Sequence, residues 1–364
     1  MIHFAIGTRA QLFKMAPIML ECDRQKLSWR WIYTAQHKET MEQTLRTFGL
    51  PEPDHVVVRW ETEAKTMGKV WLWFLKMLLA IPRSGNILGG YTGKQHILLT
   101  HGDTLTTWLV AVMAKVTRTK VMHVESGLRS FNIWKPFPEE INRLITFRLS
   151  DYYACPGKWA VNNLQKYRGI KINTKMNTQV DTIRFGLANA EGAAFAKPKS
   201  KYVVVSLHRY ENIFNKERLE QIIGELEHVS ETFLVLLIQH PATFIQLDKY
   251  DFRKRLERNK NVQLLPRLEY LPFIKAIKHS EFVITDGGGN QEELFHIGKP
   301  TLIFRDETER QEGLGTTAVI SKLDPAIIRD FIKNYKQYQH APTTSKLSPS
   351  KMIVDALARD GYGE

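Results

Sequence analysis

The chain has 364 residues, more than one hydrophobic core usually supports, so we expect two domains. Its 43% hydrophobic and 24% charged residues are typical of a globular protein, and neither a low-complexity tract nor a secretory signal is apparent. The formal charge of +13 indicates an anionic partner: a phosphate-bearing metabolite, nucleic acid or an acidic membrane surface. RNA-binding aromatic motifs and zinc-finger spacing are missing from the sequence, so we expect no nucleic-acid partner.

The two cysteines, Cys22 and Cys155, lack the spacing of metal ligands, and we expect no metal site. Both thiols are predicted to be small, buried, apolar side chains. A chain with this cysteine usage fits the reducing cytoplasm.

Short β-branched runs alternate with helix-length segments, which is typical of α/β proteins with parallel sheets. The predicted strands are 2–6, 31–34, 97–100, 121–124, 202–206, 233–238, 262–265, 282–285 and 301–304. This alternation is interrupted between about residues 167 and 201. We therefore predict an N-terminal Rossmann-like domain over 1–168, onto which a C-terminal helix over 350–364 packs back, and a second Rossmann-like domain over 169–349.

Residues 69–83, KVWLWFLKMLLAIPR, are very apolar but fall short of the roughly 20 residues needed to span a bilayer. The segment is predicted to be a core or dimer-interface helix. The alternative is peripheral membrane contact, since paired tryptophans are flanked by Lys69, Lys76 and Arg83.

The first predicted strand is followed by Gly7-Thr-Arg-Ala-Gln-Leu-Phe-Lys14, which opens a helix. Arg9, Lys14 and unpaired backbone N–H groups at a helix N-terminus suit a phosphate. The alternative is an ordinary strand–helix turn with basic residues on the surface. The segment lacks the Gly-x-Gly-x-x-Gly fingerprint of dinucleotide-binding proteins.

Asp103 and Glu125 follow two predicted strands that are consecutive along the chain, and Glu139 lies in the segment that comes directly afterwards. Each has a structural alternative: Asp103 as a helix cap, Glu125 as the partner of Arg129, and Glu139 as a first-turn acid favoured by the helix dipole. Together, carboxylates gathered at strand ends in a basic protein indicate general acid–base chemistry.

The second domain carries two further candidate strand ends. His208 and Arg209 follow the strand 202–206, and a protonated imidazole near a phosphate leaving group can donate a proton. The alternative for His208 is a buried histidine with satisfied hydrogen bonds. Gly287-Gly-Gly289 follows the strand 282–285, and such a turn admits a diphosphate to the backbone, with Glu293 one helical turn later.

Taken together, these segments resemble the non-hydrolysing UDP-N-acetylglucosamine 2-epimerases and their relatives that act on other UDP-2-acetamido sugars. The similarity runs from Gly7 to about Gly315. It is carried, in order, by GTRAQLFKMAP, TAQHKETMEQTL, HGDT, HVESGLR, PFPEEINR, SLHRYEN, EYLPF, TDGGGNQEE and RDETERQE.

The resemblance implies two Rossmann-like doubly wound domains of the glycosyltransferase-B type that face each other across a cleft. It implies a UDP-sugar substrate, a homodimer and no metal or nicotinamide cofactor. The expected reaction eliminates UDP to give a 2-acetamidoglucal and then adds UDP back with C2 inverted, for surface polysaccharide synthesis.

The resemblance also implies roles for individual residues. Asp103, Glu125 and Glu139 match the catalytic acids, and which of them removes the C2 proton is left open. His208 matches the residue that assists departure of UDP. The expected nucleotide-binding residues are Arg9, Lys14, Arg143, Gly287, Gly288, Gly289 and Arg310 for the diphosphate, Phe273 for uracil and Glu293 for ribose.

The chain departs from the family pattern at four places: Gly287 replaces a phosphate-binding serine, Ala10-Gln11 replaces Pro-Glu, Met176 interrupts Thr-Gly-Asn-Thr, and Gln311 replaces proline. Two other functions stay open at this point. One is a membrane-associated glycosyltransferase that uses a UDP-sugar donor and a lipid-linked acceptor. The other is a nucleotide-sugar sensor that binds without turnover.

Overall fold

The predicted strands lie in two parallel sheets, one in each of two structural units, which confirms the predicted fold class. The computed structural model describes residues 1–35, 41–59, 67–134, 137–308, 310–343 and 346–364. The first unit consists of Met1–Thr182 and Leu347–Glu364, and the second of Ile183–Lys346.

The first sheet has the strand order β3-β2-β1-β4-β5-β6-β7, so the chain reverses its direction of winding between β1 and β4. Its strands are β1 (Ile2–Ile6), β2 (Trp29–Tyr33), β3 (His55–Val56), β4 (Ile97–His101), β5 (Lys120–Val124), β6 (Tyr152–Cys155) and β7 (Ile170–Asn173). Its helices are α1 (Arg9–Arg24), α2 (Met41–Phe48), α3 (Met67–Ala80), α4 (Ser84–Ile87), α5 (Leu105–Val116), α6 (Glu139–Leu149) and α7 (Lys158–Asn163).

The boundary after the first unit lies at Thr182 rather than at the predicted residue 168, because the unpredicted strand β7 pairs with β6 in the first sheet. Helix α8 (Gln179–Asn189) then carries the chain into the second unit. The return lies between Lys346 and Leu347 rather than after residue 349.

The second sheet has the order β10-β9-β8-β11-β12-β13 and the same reversal next to its first strand, between β8 and β11. Its strands are β8 (Tyr202–Ser206), β9 (Leu234–Ile238), β10 (Val262–Leu265), β11 (Val283–Thr285), β12 (Thr301–Ile303) and β13 (Ala318–Ile320). Its helices are α9 (Tyr210–Ile213), α10 (Lys216–Ser230), α11 (Pro241–Lys249), α12 (Phe252–Arg258), α13 (Tyr270–His279), α14 (Gly288–Ile297) and α15 (Pro325–Asn334).

The C-terminal helix α16 (Pro349–Arg359) packs against α1 in the first unit. Gln25 at the end of α1 donates a hydrogen bond to Asp355, and the hydroxyl of Tyr152 donates to Asp360 at 2.9 Å. Apolar side chains of α16, Ile353 among them, are fully buried. The last helix therefore completes the first unit.

Helix α3 contains most of the apolar segment 69–83 and is amphipathic in its packing. Trp73 and Met77 are buried in the core, and Trp73 Nε1 donates a hydrogen bond to Thr34 O at 2.8 Å. Trp71 is 64% exposed and Leu79 75% exposed. No helix in the described parts of the chain is long and apolar enough to cross a bilayer.

Gly7, at the end of β1, lies where the chain has no room for a side chain. A Cβ atom there would be 2.1 Å from Thr106 Oγ1 and 2.6 Å from Thr34 Oγ1. We expect Gly7→Ala to destabilise the first unit by about 1–3 kcal/mol, measured by urea unfolding, because the buried threonines must shift. Gly85→Ala, in a helix with open space around the new methyl group, is the matched control and should not destabilise the unit.

Candidate active site

The acids that follow β4 and β5 lie at the same edge of the first sheet. These strands are parallel neighbours, and His101 at the end of β4 pairs with Val124 at the end of β5. Asp103 and Glu125 follow within two residues of these positions. The carboxyl edge of a doubly wound sheet is where such folds bind ligands.

Asp103 is fixed by contacts from two directions. Asn142 Nδ2 donates to the Asp103 carbonyl at 2.7 Å, and Arg143 Nη2 donates to its carboxylate. The buried ring of His123 donates from Nε2 to the Gly102 carbonyl at 2.7 Å, which orders the loop just before Asp103. Burial lowers the pKa of His123 to about 4, so this ring is a neutral support.

The helix-cap alternative for Asp103 is wrong. Helix α5 is capped by Thr104, whose hydroxyl and that of Thr107 form a reciprocal capping box. The carboxylate of Asp103 is therefore not used by the helix that follows it. It pairs with Arg143 of α6 instead and is partly exposed.

Glu125 lies between two basic side chains. Lys14 Nζ is 2.6 Å and His101 Nε2 is 2.9 Å from Glu125 Oε2. Burial would raise the pKa of Glu125, but the attraction of Lys14 and His101 outweighs burial and holds that pKa well below its usual value. Glu125 is therefore an ionised carboxylate at neutral pH.

The predicted alternative, a Glu125–Arg129 pair, is also wrong, because Arg129 donates from Nε to Glu140. Glu140 is fully buried and accepts the backbone N–H of Ser130 as well. It also pairs with Arg143 at 3.4 Å, the arginine that holds Asp103. A continuous series of ion pairs therefore connects the loop after β5 to Asp103.

Glu139 is the first residue of α6, one turn before Arg143. Its Oε2 atom is buried and accepts no hydrogen bond from the described residues. The third acid is thus held less tightly than Glu125.

The turn after β1 is held by Gln11, one of the departures from the family pattern. Its Oε1 accepts the backbone N–H groups of Gly7 and Thr8, and its Nε2 donates to the His101 carbonyl at 2.8 Å. A carboxylate could not donate that last bond. Arg9 opens α1, and its guanidinium lies 5.0 Å from the centre of the Phe13 ring.

The second unit contains a cavity of about 510 Å³ at the carboxyl edge of its sheet. His208 and Arg209 line it from the end of β8, the turn Gly287–Gly289 lines it from the start of α14, and Arg310 completes it. No side chain in the described parts of the chain caps α14, so the positive end of its dipole is available to an anion.

His208 is 40% exposed in its side chain, so the alternative of a buried, satisfied histidine is wrong. The remaining predicted nucleotide residues lie on two helices: Phe273 on α13 and Glu293 on α14. Burial, with a smaller contribution from the charge of Glu293, raises the pKa of Tyr270, which lies one turn before Phe273. The charge of Glu293 therefore acts on the first turn of α13.

Several residues with clear structural roles were not among the sequence predictions. They are His101, which contacts Glu125, Glu140, which anchors Arg129 and Arg143, and Asp286, which precedes the glycine turn. Each lies next to a predicted site residue or two residues from one. This closeness in the sequence is the signal by which they could have been found.

Parts of the sequence resemblance, residues 36–40, Pro136 and Glu309, lie outside the described residues. Within the described residues, no group of three or more His, Cys, Asp or Glu side chains is arranged to hold a metal ion.

Comparisons with known proteins identify the family of the chain. The family profile for UDP-N-acetylglucosamine 2-epimerase matches residues 20–350. The chain is 32% identical over 326 residues to the UDP-N-acetylglucosamine 2-epimerase of Methanocaldococcus jannaschii, covering 85% of each protein. It is 28% identical to that of Neisseria meningitidis over 384 aligned positions, covering 97% of this chain and 98% of the relative.

The solved structure of the M. jannaschii enzyme matches with a TM-score of 0.82 at 26% identity and covers 98% of this chain and 99% of that one. The N. meningitidis enzyme bound to UDP-GlcNAc matches with a TM-score of 0.78 at 26% identity over the same shares. These matches confirm the glycosyltransferase-B type of fold. The chain belongs to the UDP-N-acetylglucosamine 2-epimerase family.

Proposed function

We propose that the protein inverts C2 of a UDP-2-acetamido sugar, UDP-GlcNAc or a close derivative, by eliminating UDP and adding it back. The observation that carries this proposal is the set of differently held carboxylates at one edge of the first sheet. Glu125 is held by two basic side chains, Asp103 is paired with Arg143 alone, and Glu139 Oε2 has no hydrogen-bond partner among the described residues. Elimination of UDP and its re-addition need both kinds of carboxylate: one that stays an anion and others that bind and release a proton.

The C2 proton of the sugar is not acidified by a neighbouring carbonyl, so its removal requires a placed base and a departing leaving group. We assign the proton-transfer steps to Asp103 and Glu139. Glu125 serves as a fixed anion that orients Lys14 and His101. This division leaves open which of Asp103 and Glu139 removes the proton.

The cavity in the second unit supports departure of UDP. The N-terminus of α14 and Arg310 would offset the charge of the diphosphate, and His208 would protonate the leaving oxygen. Arg9, Lys14 and Arg143 would contribute positive charge from the first unit. Phe273 and Glu293 would contact uracil and ribose.

Membership of the family supports the epimerase rather than the membrane-associated glycosyltransferase. The experiment is incubation with UDP-GlcNAc in deuterium oxide, followed by proton NMR. We expect deuterium to enter C2 and a ManNAc-configured UDP-sugar to accumulate. Free UDP with N-acetylmannosamine would indicate hydrolysis, and tight UDP binding without exchange would indicate a sensor; either result contradicts the proposal.

We further propose that the exposed face of α3 contacts a second copy of the chain to form a homodimer in the cytoplasm, where the product enters surface polysaccharide synthesis. Trp71, Leu72, Leu75 and Leu79 form this face. An apolar surface of this kind is unfavourable in water and is typical of an interface. The basic side chains that flank the segment favour, as the alternative, an acidic membrane surface.

Sedimentation of the wild type and of Leu75→Lys/Leu79→Lys distinguishes the two partners. The wild type should sediment as a dimer and the double variant as a monomer. The control is Lys254→Met, an exposed substitution on α12. A monomeric wild type that floats with phosphatidylglycerol vesicles, and a double variant that does not, would assign the face to the membrane instead.

A further inference from the structure

Asp286 is a fully buried carboxylate at the junction of β11 and α14 that has no role in the proposed function. Its oxygens accept the backbone N–H of His208 at 3.0 and 3.1 Å and that of Arg209 at 3.0 Å. They also accept from Asn212 Nδ2 at 3.0 Å. One carboxylate therefore fastens the whole segment between β8 and α9.

The same carboxylate faces the imidazole of His208, because Asp286 Oδ1 lies 3.4 Å from His208 Nδ1. Arg209, the nearest guanidinium on this segment, donates from Nε to the backbone carbonyl of Asp286. The side of the ring that carries Nδ1 is thus oriented toward a negative charge.

The other side of the ring lies over Gly287. A Cβ atom at position 287 would be 2.8 Å from His208 Cε1 and 3.5 Å from His208 Nε2. A side chain at position 287 would therefore require the imidazole to shift. Nε2 lies beside the start of α14, on the cavity that Gly288 and Gly289 also line.

We propose that Asp286 is the positioning residue of His208: it holds the imidazole over Gly287 with Nε2 directed to a phosphate at the start of α14, and it stabilises the protonated ring. The proposal rests on the proposed function of His208. As the C1–O bond breaks and its electron pair passes to UDP, the proton on Nε2 moves to the departing phosphate oxygen, and it returns when UDP adds back.

Other charged and titratable groups face this ring. The titratable and charged residues around it are Asp286, Arg209, Glu211, His240 and Arg310. The His240 ring centre is 5.4 Å from that of His208. Burial first, and then the charges of His208 and Arg267, lower the pKa of His240, so the second imidazole stays neutral when His208 is protonated.

The test is Asp286→Asn, which keeps the size of the side chain and an oxygen that accepts an N–H. We expect kcat for C2 exchange to fall at least tenfold and the alkaline limb of its pH profile to move to lower pH, because the ring loses the charge that favours its protonated form. Asp330→Asn, an exposed carboxylate on α15, is the matched control and should leave rate and profile unchanged.

A second variant tests the position of the ring while Asp286 is intact. Gly287→Ala places a methyl group against the imidazole, and we expect it to lower kcat at least tenfold with less than a threefold change in the Kd for UDP. If Asp286→Asn keeps the wild-type pH profile, or if Gly287→Ala turns over as fast as wild type, the proposal is overturned.

Affinity for UDP alone, measured by calorimetry between pH 6 and 9, gives a readout that needs no turnover. Binding should weaken as His208 loses its proton, and Asp286→Asn should move that change to lower pH. If the wild type is inert toward UDP-GlcNAc but this dependence is present, the proposed function fails and the positioning role stands. If the pH dependence of UDP affinity is the same in the wild type and in Asp286→Asn, the positioning role of Asp286 fails.

Discussion

Asp103→Asn is expected to reduce C2 deuterium exchange by about 10²–10⁴-fold, the range typical of losing a general acid or base. An asparagine keeps the size of the side chain and can still accept a hydrogen bond from Arg143, but it cannot bind the C2 proton. The loop should keep its position, because Asn142 and His123 hold it through the backbone carbonyls of Asp103 and Gly102.

Binding of UDP separates this effect from misfolding. The Kd for UDP, measured by calorimetry, should change less than threefold in Asp103→Asn, because the proposed nucleotide contacts lie mainly in the second unit. Asp248→Asn, an exposed carboxylate on α11, is the control for removing a charge. Wild-type exchange in Asp103→Asn would refute the role of this acid, and loss of UDP binding would make it a binding residue instead.

Lys14→Met is expected to destabilise the first unit by about 3–5 kcal/mol at pH 8, the usual cost of leaving one charge of a buried pair uncompensated. Lys14 and Glu125 have side chains only 16% and 7% exposed. All eight tryptophans of the sequence lie between residues 29 and 159, so intrinsic fluorescence during urea unfolding reports on this unit.

The pH dependence follows from the lowered pKa of Glu125. Its folded-state pKa lies below the unfolded value of 4.5, so its contribution to stability is complete above about pH 4.5 and is lost as the pH falls through the folded-state pKa. The free energies of unfolding of the wild type and of Lys14→Met should therefore become more similar as the pH falls, because a protonated Glu125 needs no counter-charge.

Two further variants complete this test. Lys14→Met/Glu125→Gln should recover much of the lost stability at pH 8, since no buried charge is left unpaired. Lys351→Met breaks an exposed pair with Asp355 and should cost no more than about 1 kcal/mol. A cost for Lys14→Met equal to that of Lys351→Met would show that the Glu125 carboxylate does not depend on Lys14.

The sequence predicted the parts of the fold whose patterns are strong and local. The nine predicted strands are all present within one or two residues, because most of them are buried apolar runs. The strands β3, β6, β7 and β13 were not predicted. β3 has only two residues, and β7 is an edge strand whose residues are all partly or fully exposed, so its composition carries little signal.

The predicted site residues stay a prediction, whereas the predicted alternatives for Asp103 and Glu125 were wrong because pairing depends on tertiary structure. Sequence distance favoured Arg129 as the partner of Glu125, but the parallel sheet brings Lys14 of α1 to it, from a position 111 residues away. The capping role given to Asp103 as an alternative belongs to its neighbour Thr104. Local sequence does not contain these long-range contacts.

The path of the chain through its two units determines which segments can be deleted without damaging the remaining unit. The second unit is one uninterrupted stretch, Ile183–Lys346, inserted between the two parts of the first unit. A gene fragment for residues 183–346 therefore encodes a complete α/β unit. A premature stop codon near residue 347, by contrast, would strip α16 from α1 and damage the unit that begins at the opposite end of the polypeptide.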